Sequence, residues 1–109
     1  MEQRRTRRFK LHLPLSITRS GAERVTMVGQ TRNISSTGVL FTSGRVTEPG
    51  GPIEYIITLN ASGPHTVNLR CIGKVVRSER MEAAVPGYQV AATLERYEFV
   101  RDAAGAQRA

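Results

Sequence analysis

The feature that most constrains this chain is an alternation of apolar and polar residues with a period of two. In residues 10–18 every second residue is Leu or Ile, and the residues between them are polar or Pro. The same period returns in residues 53–59, 67–75 and 88–94. Successive side chains of a strand point to opposite faces, so this spacing predicts half-buried β-strands.

Two further strands are predicted at residues 25–34 and 38–41, and the strands are separated by segments rich in Gly and Pro, such as residues 48–52 and 60–64. Six short strands without a long helix favour a small antiparallel sandwich or barrel. Closing the sheet would remove exposed strand edges. We therefore expect an all-β fold, a six-stranded antiparallel β-barrel.

The alternation is lost near the C-terminus. Residues 95–101 are predicted to form a short C-terminal helix, with Tyr97 and either Phe99 or Val100 against the barrel. With 109 residues the chain has room for one domain. We divide it into a flexible basic arm at residues 1–9, a barrel domain at 10–101 and a frayed tail at 102–109.

Several classes of protein do not fit the composition. No apolar run approaches the roughly 20 residues of a membrane helix, and no apolar stretch follows the first arginines as in a signal peptide. The single cysteine, Cys71, excludes an internal disulfide, and with two histidines it does not supply an ordinary zinc site. We expect a cytoplasmic protein without a membrane span, a metal or a cofactor.

Catalysis is not expected either. Cys71 lies at a core position of its strand, where a cysteine acts as a small hydrophobic residue and not as a nucleophile. His12 lies on the polar face of the first strand, and no two acidic residues have a spacing that would present both carboxylates to one substrate. The sequence predicts no catalytic residue.

The charge balance points to an anionic partner. Sixteen Lys and Arg residues face nine Asp and Glu residues, which gives a net charge of +7. All the basic residues except Lys10 and Lys74 are arginines, whose planar guanidinium group matches phosphates and purine edges. Nucleic acid, a nucleotide or an acidic surface would fit, and so would a solvated tail that aids solubility. Four of the arginines crowd the N-terminal arm: Arg4, Arg5, Arg7 and Arg8.

A second unusual segment, Asn-Ile-Ser-Ser-Thr-Gly at residues 33–38, joins the second strand to the third. In an extended chain the side chains of Asn33 and Ser35 emerge on the same face. Gly38 would then let the backbone turn or let a ligand approach closely. The alternative is a tight turn in which the Asn and Ser side chains bond the local backbone.

Together the two segments resemble the PilZ domain family. Its signature is an Arg-x-x-x-Arg arm, here Arg4 to Arg8, followed by (Asp/Asn)-x-Ser-x-x-Gly, here Asn33 to Gly38. Gly-Lys-Val-Val-Arg at 73–77 and Gly-Tyr-Gln-Val-Ala at 87–91 are similar to later strands of such domains. The resemblance covers the chain from Gln3 to about Phe99.

The resemblance implies a six-stranded barrel with a C-terminal helix that binds cyclic di-GMP, a bacterial second messenger. It implies a receptor or adaptor without enzymatic activity that regulates a downstream protein of motility, secretion or polysaccharide synthesis. Asn33 stands where Asp is commoner and offers one acceptor oxygen instead of two, and Gln3 replaces an additional arginine of many members. The implied ligand-binding residues are Arg4, Arg5, Arg8, Asn33, Ser35 and Gly38, with Arg7 and Ser36 as weaker candidates.

Two alternatives remain open at this point. A basic β-barrel that binds nucleic acid would explain the charge, although the six Phe and Tyr residues mostly fall at core positions and form no evident stacking platform. A PilZ-like adaptor without a ligand would act through protein contacts alone. The intact motif residues favour the cyclic di-GMP receptor over this second alternative.

Overall fold

The computed structural model describes residues 9–44, 47–60, 65–82 and 87–103, and its regular elements are antiparallel β-strands. The described residues contain no helix, and therefore no helix long and apolar enough to cross a membrane. The strands are β1 (Pro14–Ser20), β2 (Glu23–Ile34), β3 (Gly38–Ser43), β4 (Pro52–Asn60), β5 (His65–Arg80), β6 (Tyr88–Thr93) and β7 (Arg96–Ala103).

Six of these strands form a closed ring. Their order is β1–β2–β3–β6–β5–β4, and β4 returns to pair with β1. This confirms the predicted six-stranded antiparallel barrel. Strand β7 lies outside the ring, beside the first half of β5.

The ring closes because β2 and β5 are each part of two sheets. The first part of β2 pairs with β1 and its last residues pair with β3. In the same way, β5 pairs first with β4 and then with β6. The long strands therefore connect two short sheets into one barrel, as strands that switch sheets do at the corners of orthogonal packings.

A glycine lies near each crossing, Gly29 in β2 and Gly73 in β5. A Cβ atom on Gly29 would overlap the carbonyl oxygen of Thr42, and one on Gly73 would overlap that of Thr93. Neither backbone position leaves room for a side chain, so glycine is required by the close approach of the neighbouring strand. These residues let the two sheets meet.

The threonine hydroxyls complete the hydrogen bonding at the crossings. The backbone N–H of Gln30 donates to Thr42 Oγ1 at 3.2 Å, and that of Lys74 donates to Thr93 Oγ1 at 2.8 Å. Each hydroxyl replaces a backbone acceptor at the point where its long strand changes partner. Both crossings therefore use a threonine hydroxyl of the neighbouring strand as the acceptor.

The core is formed by the residues that the alternation predicted to point inward. Phe41 and Tyr55 contact each other at its centre, with their rings 5.6 Å apart, and the Tyr55 hydroxyl donates to the carbonyl oxygen of Thr93 at 3.1 Å. This bond satisfies the only polar atom of the buried Tyr55 side chain. The buried apolar residues are Leu15, Ile17, Val39, Phe41, Ile53, Tyr55, Ile57, Cys71, Val75, Val90 and Ala92.

Two residues at predicted inward positions are exposed, Leu11 and Leu59, the second of them by 37% near the end of β4. Leu11 is 45% exposed, although it shares the alternation of Leu15 and Ile17. Regular pairing of β1 begins only at Pro14. The residues before Pro14 lie beside the last residues of β2, where no second sheet covers the Leu11 side chain.

The predicted C-terminal helix at residues 95–101 is also wrong, because Arg96–Ala103 form strand β7. This segment pairs with β5 without interruption, from Ile72 opposite Arg96 to His65 opposite Ala103. β5 reaches beyond β6 and offers a free edge there, and the hydrogen bonds along that edge favour extended chain over a helix. Tyr97, Phe99 and Val100 also have high strand propensity.

We predict that Gly73→Ala strongly destabilises the barrel. The added methyl group meets the backbone of Thr93, which cannot move without disturbing β6. Overpacking of a well-packed site typically costs about 1–3 kcal/mol. The free energy of unfolding, measured in urea, should therefore fall by about 1–3 kcal/mol or more. The matched control is Gly44→Ala, since a Cβ there meets no atom within 4 Å; equal stability of the two variants would contradict this account of the crossing.

Candidate functional site

The segment between β2 and β3 is a tight turn held by Ser35. The backbone N–H of Ser35 donates to the carbonyl oxygen of Gly38 at 2.9 Å. The Ser35 hydroxyl accepts from the N–H groups of Thr37 and Gly38 at 3.3 and 3.2 Å, and it lies 3.3 Å from the Gly38 carbonyl oxygen, to which it donates. The side chain therefore bonds the local backbone, as one of the two sequence interpretations proposed, and it fixes the shape of the turn.

Gly38 is needed because β6 lies close to the start of β3. A Cβ on Gly38 would lie 3.0 Å from the carbonyl oxygen of Ala92, tighter than ordinary packing. Its backbone is not among the glycines with positive φ in the described residues, which are Gly21, Gly50 and Gly87. The glycine thus serves the approach of a neighbouring strand and not a left-handed turn.

The chain before β1 is fastened to the end of β2. Phe9 and Ile34 exchange backbone hydrogen bonds at 2.8 and 2.9 Å. The buried Thr31 accepts from the N–H of Leu13 at 2.8 Å through its hydroxyl and donates to the carbonyl oxygen of Leu11. Residue 9, which directly follows the Arg-x-x-x-Arg motif, is therefore held beside the Asn-Ile-Ser segment.

A surface pocket of about 230 Å³ opens next to this turn. Its floor is the outer face of β3 and β6, where the side chains are small or apolar. Asn33 and Ser35 lie on one side, and Arg77 of β5 lies on the other. The lining residues are Asn33, Ser35, Thr37, Gly38, Val39, Leu40, Val76, Arg77, Ala91, Ala92 and Thr93.

Arg77 reaches the outer face through a bulge in β5. Val75 pairs with Ala92, whereas Arg77 pairs with the adjacent Ala91, so the register shifts by one residue between them. The guanidinium group is exposed, and its Nε lies 3.6 Å from a carboxylate oxygen of Glu79. An exposed pair of this kind contributes little to stability, so the cation remains available to an anionic ligand.

Sequence reasoning missed Arg77 as a site residue. Strict alternation from the buried Val75 points Arg77 into the core. A charged residue at a core position is the signal that could have revealed the bulge, because an arginine there would have no partner.

The predicted site residues are only partly within the described residues. Asn33, Ser35 and Gly38 come together at the pocket. Ser36 is exposed and does not line it. The remaining candidates lie outside the described residues: Arg4, Arg5, Arg7 and Arg8.

Two larger surface pockets contain none of these motif residues. One, of about 440 Å³, lies along β5 and β7 around Arg70 and Arg96. The other, of about 500 Å³, lies around His12, Arg32 and Met81. The smaller pocket is the better candidate because three of the predicted site residues line it: Asn33, Ser35 and Gly38.

The single cysteine of the chain lies in the core. Cys71 is fully buried, and burial raises the pKa of its thiol to about 12. Burial also raises the pKa of Tyr55 well above its ordinary value. In the described part of the chain no group of three or more His, Cys, Asp or Glu side chains is placed to hold a metal ion.

The chain belongs to the PilZ domain family, whose family model matches residues 2–99. Among solved structures it is similar to the inhibitor of motility MotI/DgrA of Bacillus subtilis, at 18% sequence identity and a TM-score of 0.66. That match covers 90% of this chain and 45% of the other, so this chain spans less than half the length of that protein, and the likeness concerns the fold. No curated protein matches the chain.

We predict that Cys71 is unreactive in the folded protein. With a thiol pKa of about 12 instead of 9.0, its thiolate fraction at pH 8 falls by roughly a thousandfold, and burial blocks access as well. A chromogenic disulfide reagent should label Cys71 only after unfolding in urea. Rapid labelling of the native protein would contradict the buried assignment.

The same shift has a consequence for stability at high pH. The folded-state pKa is raised, so the contribution of the thiol is fully present below its ordinary value and is lost as pH rises from about 9 to about 12. The burial of Tyr55 acts in the same direction. The free energy of unfolding in urea should therefore fall steadily over this range.

Proposed function

We propose that this protein is a cytoplasmic receptor of bacteria that binds cyclic di-GMP and acts on a partner protein. The observation that carries the proposal is the pairing of Phe9 with Ile34. It brings the residue after the Arg-x-x-x-Arg arm to the Asn-x-Ser-x-x-Gly turn. Arg8 directly precedes Phe9 in the sequence.

The chemistry of the ligand matches the residues of the two motifs. Cyclic di-GMP carries two phosphodiester charges, which the arginines of the arm and a net charge of +7 would attract. The O6 and N7 atoms of guanine accept a bidentate pair of hydrogen bonds from an arginine. The opposite edge of guanine donates through N1–H and the N2 amine, for which the side-chain oxygen of Asn33 is an acceptor.

The pocket suggests a role for each nearby residue. Arg4 and Arg8 grip guanine edges and phosphates, with Arg5 adding a further cation. Arg77, on the opposite rim, stacks on a base or pairs with a phosphate. Ser35 shapes the turn through its backbone bonds, and Gly38 keeps the pocket floor low. Arg7 and Ser36 have weaker roles at the edge.

Ligand binding would change the surface that the protein presents. Four like charges repel one another in the arm, and an anion that neutralises them would draw the arm across the pocket. We infer that a partner protein recognises this rearranged surface. The partner classes are components of motility, secretion or polysaccharide synthesis, and the similar Bacillus subtilis protein is described as an inhibitor of motility.

We predict that cyclic di-GMP stabilises the folded protein against heat. At a free concentration one hundred times Kd, a ligand that binds only the folded state adds about 2.7 kcal/mol. For a domain of this size the melting temperature should rise by about 10 °C. GMP and GTP are the controls, and an equal rise with all of them would indicate binding of any guanine nucleotide.

We predict that three substitutions each remove one contact and weaken the binding of cyclic di-GMP: Arg8→Ala, Asn33→Ala and Arg77→Ala. Loss of a good bidentate or base-edge contact costs about 1–3 kcal/mol, which corresponds to roughly 5- to 150-fold in Kd. Isothermal titration calorimetry measures the effect. Arg24→Ala, an exposed arginine at the other end of β2, is the matched control and should bind as the wild type does.

Two outcomes separate the assignments. Wild-type affinity of both the Arg8 and Asn33 variants would overturn the proposed site, while wild-type affinity of the Arg77 variant alone would remove only that residue. The nucleic-acid alternative predicts tight binding of single-stranded oligonucleotides of many sequences, weakening steeply with salt. Such binding without any response to cyclic di-GMP would contradict the receptor proposal.

A further inference from the structure

A second surface pocket lies next to the pocket beside Asn33. Phe41 of β3 is buried, so Leu40 and Thr42 on either side of it both point to the outer face of the sheet. Leu40 lines the pocket beside Asn33, which we call the Asn33 pocket. Thr42 lines the pocket of about 500 Å³ around Arg32, which we call the Arg32 pocket. Two residues along a strand span about 6.6 Å, so the two pockets are neighbours on one surface.

A bulge in β2 sends Arg32 to this surface. Thr31 pairs with Phe41, whereas Asn33 pairs with the adjacent Leu40, so the register shifts by one residue. Arg32 is the additional residue of the bulge, and it is exposed while Thr31 is buried. The bulge therefore gives each pocket one polar side chain from β2, Arg32 in one and Asn33 in the other.

The size of the ligand requires more space than the Asn33 pocket offers. That pocket has a volume of about 230 Å³, which lies below the roughly 300–1,000 Å³ of pockets that enclose a small-molecule ligand. Cyclic di-GMP consists of two guanosine monophosphate units, and the Asn33 pocket suits one of them. The neighbouring Arg32 pocket has room for the second unit.

Two arginines lie at opposite ends of the combined surface, Arg32 in β2 and Arg77 in β5. The strand order places β3 and β6 between β2 and β5, so three strand spacings, or about 14 Å, separate the two backbone positions. No carboxylate of the described residues pairs with Arg32, and Arg77 has only the exposed Glu79 beside it. A ligand with two bases and two phosphates offers a contact to each arginine.

We propose that the cyclic di-GMP site extends over both pockets, with one guanosine unit in the Asn33 pocket and the other in the Arg32 pocket. Arg32 pairs with a phosphate or stacks on the second base, and the apolar side chains of Val28 and Met81 pack against that base. This inference rests on the proposed function, because it assigns further residues to the same ligand.

Isothermal titration calorimetry of two variants tests the extended site. Arg32→Ala removes the cation, and Gln30→Glu adds a carboxylate to the Arg32 pocket with almost no change in size. Each should raise the Kd for cyclic di-GMP by about tenfold or more, because a contact with a charged group is lost or a phosphate is repelled. The melting temperature without ligand should stay at the wild-type value, since both side chains are exposed.

Arg24→Ala and Thr26→Glu are the matched controls, because they make the same charge changes on the same outer face of β2. Both residues are exposed and line neither pocket. Thr26 lies four residues, about 13 Å, from Gln30, which exceeds the Debye length of about 8 Å at physiological ionic strength. The two control variants should bind cyclic di-GMP as the wild type does.

The outcomes separate this inference from the proposed function. If the wild type binds cyclic di-GMP and either Arg32→Ala or Gln30→Glu binds it equally well, the extended site is overturned and the proposed function stands. An equal loss of affinity in the matched control variants would also overturn the extended site. A wild type that does not bind cyclic di-GMP would overturn both.

Discussion

The architecture depends on two strands that change partner along their length. β2 leaves β1 to pair with β3, and β5 leaves β4 to pair with β6. The absence of a side chain at Gly29 and Gly73 allows these crossings, and the hydroxyls of Thr42 and Thr93 supply acceptors there. A side chain at either glycine would force the neighbouring strand away from the crossing.

The candidate site follows from the same constraint. Once β2 has left β1, the edge of its last residues needs another partner. Residues 9–13 fill that position, because Phe9 pairs with Ile34 and the backbone of Leu11 and Leu13 bonds the buried Thr31 of β2. On the other long strand, the bulge after Val75 turns Arg77 to the outer face. The crossings therefore bring two distant parts of the sequence to opposite rims of one pocket.

Much of the barrel was predictable because its core strands alternate cleanly. The inward positions of Ile53, Tyr55 and Ile57, and the buried thiol of Cys71, follow directly from a period of two. The turn at Asn33–Gly38 was also found in the sequence, since few other structures suit closely spaced Asn, Ser and Gly residues. In these places local pattern and tertiary structure agree.

The rest required the closed structure. No face of β7 packs against the core, so its sequence lacks the sustained apolar and polar alternation that marks a half-buried strand. Its strand conformation comes from hydrogen bonding to the free edge of β5. Arg77 depends on a register shift that appears only when β5 and β6 pair. Leu11 follows the pattern of β1 but lies before the regular strand begins, where nothing covers it.

The most direct test of the central claim is amide chemical-shift mapping by NMR during titration with cyclic di-GMP. If the arm and the turn converge around one ligand, the amides of Arg4 to Arg8, of Ser35 to Gly38 and of Arg77 should shift together at one saturation point. The amides of the β1–β2 hairpin around Arg24 should not move. Shifts confined to other surfaces, or an arm that responds while the turn does not, would contradict the account.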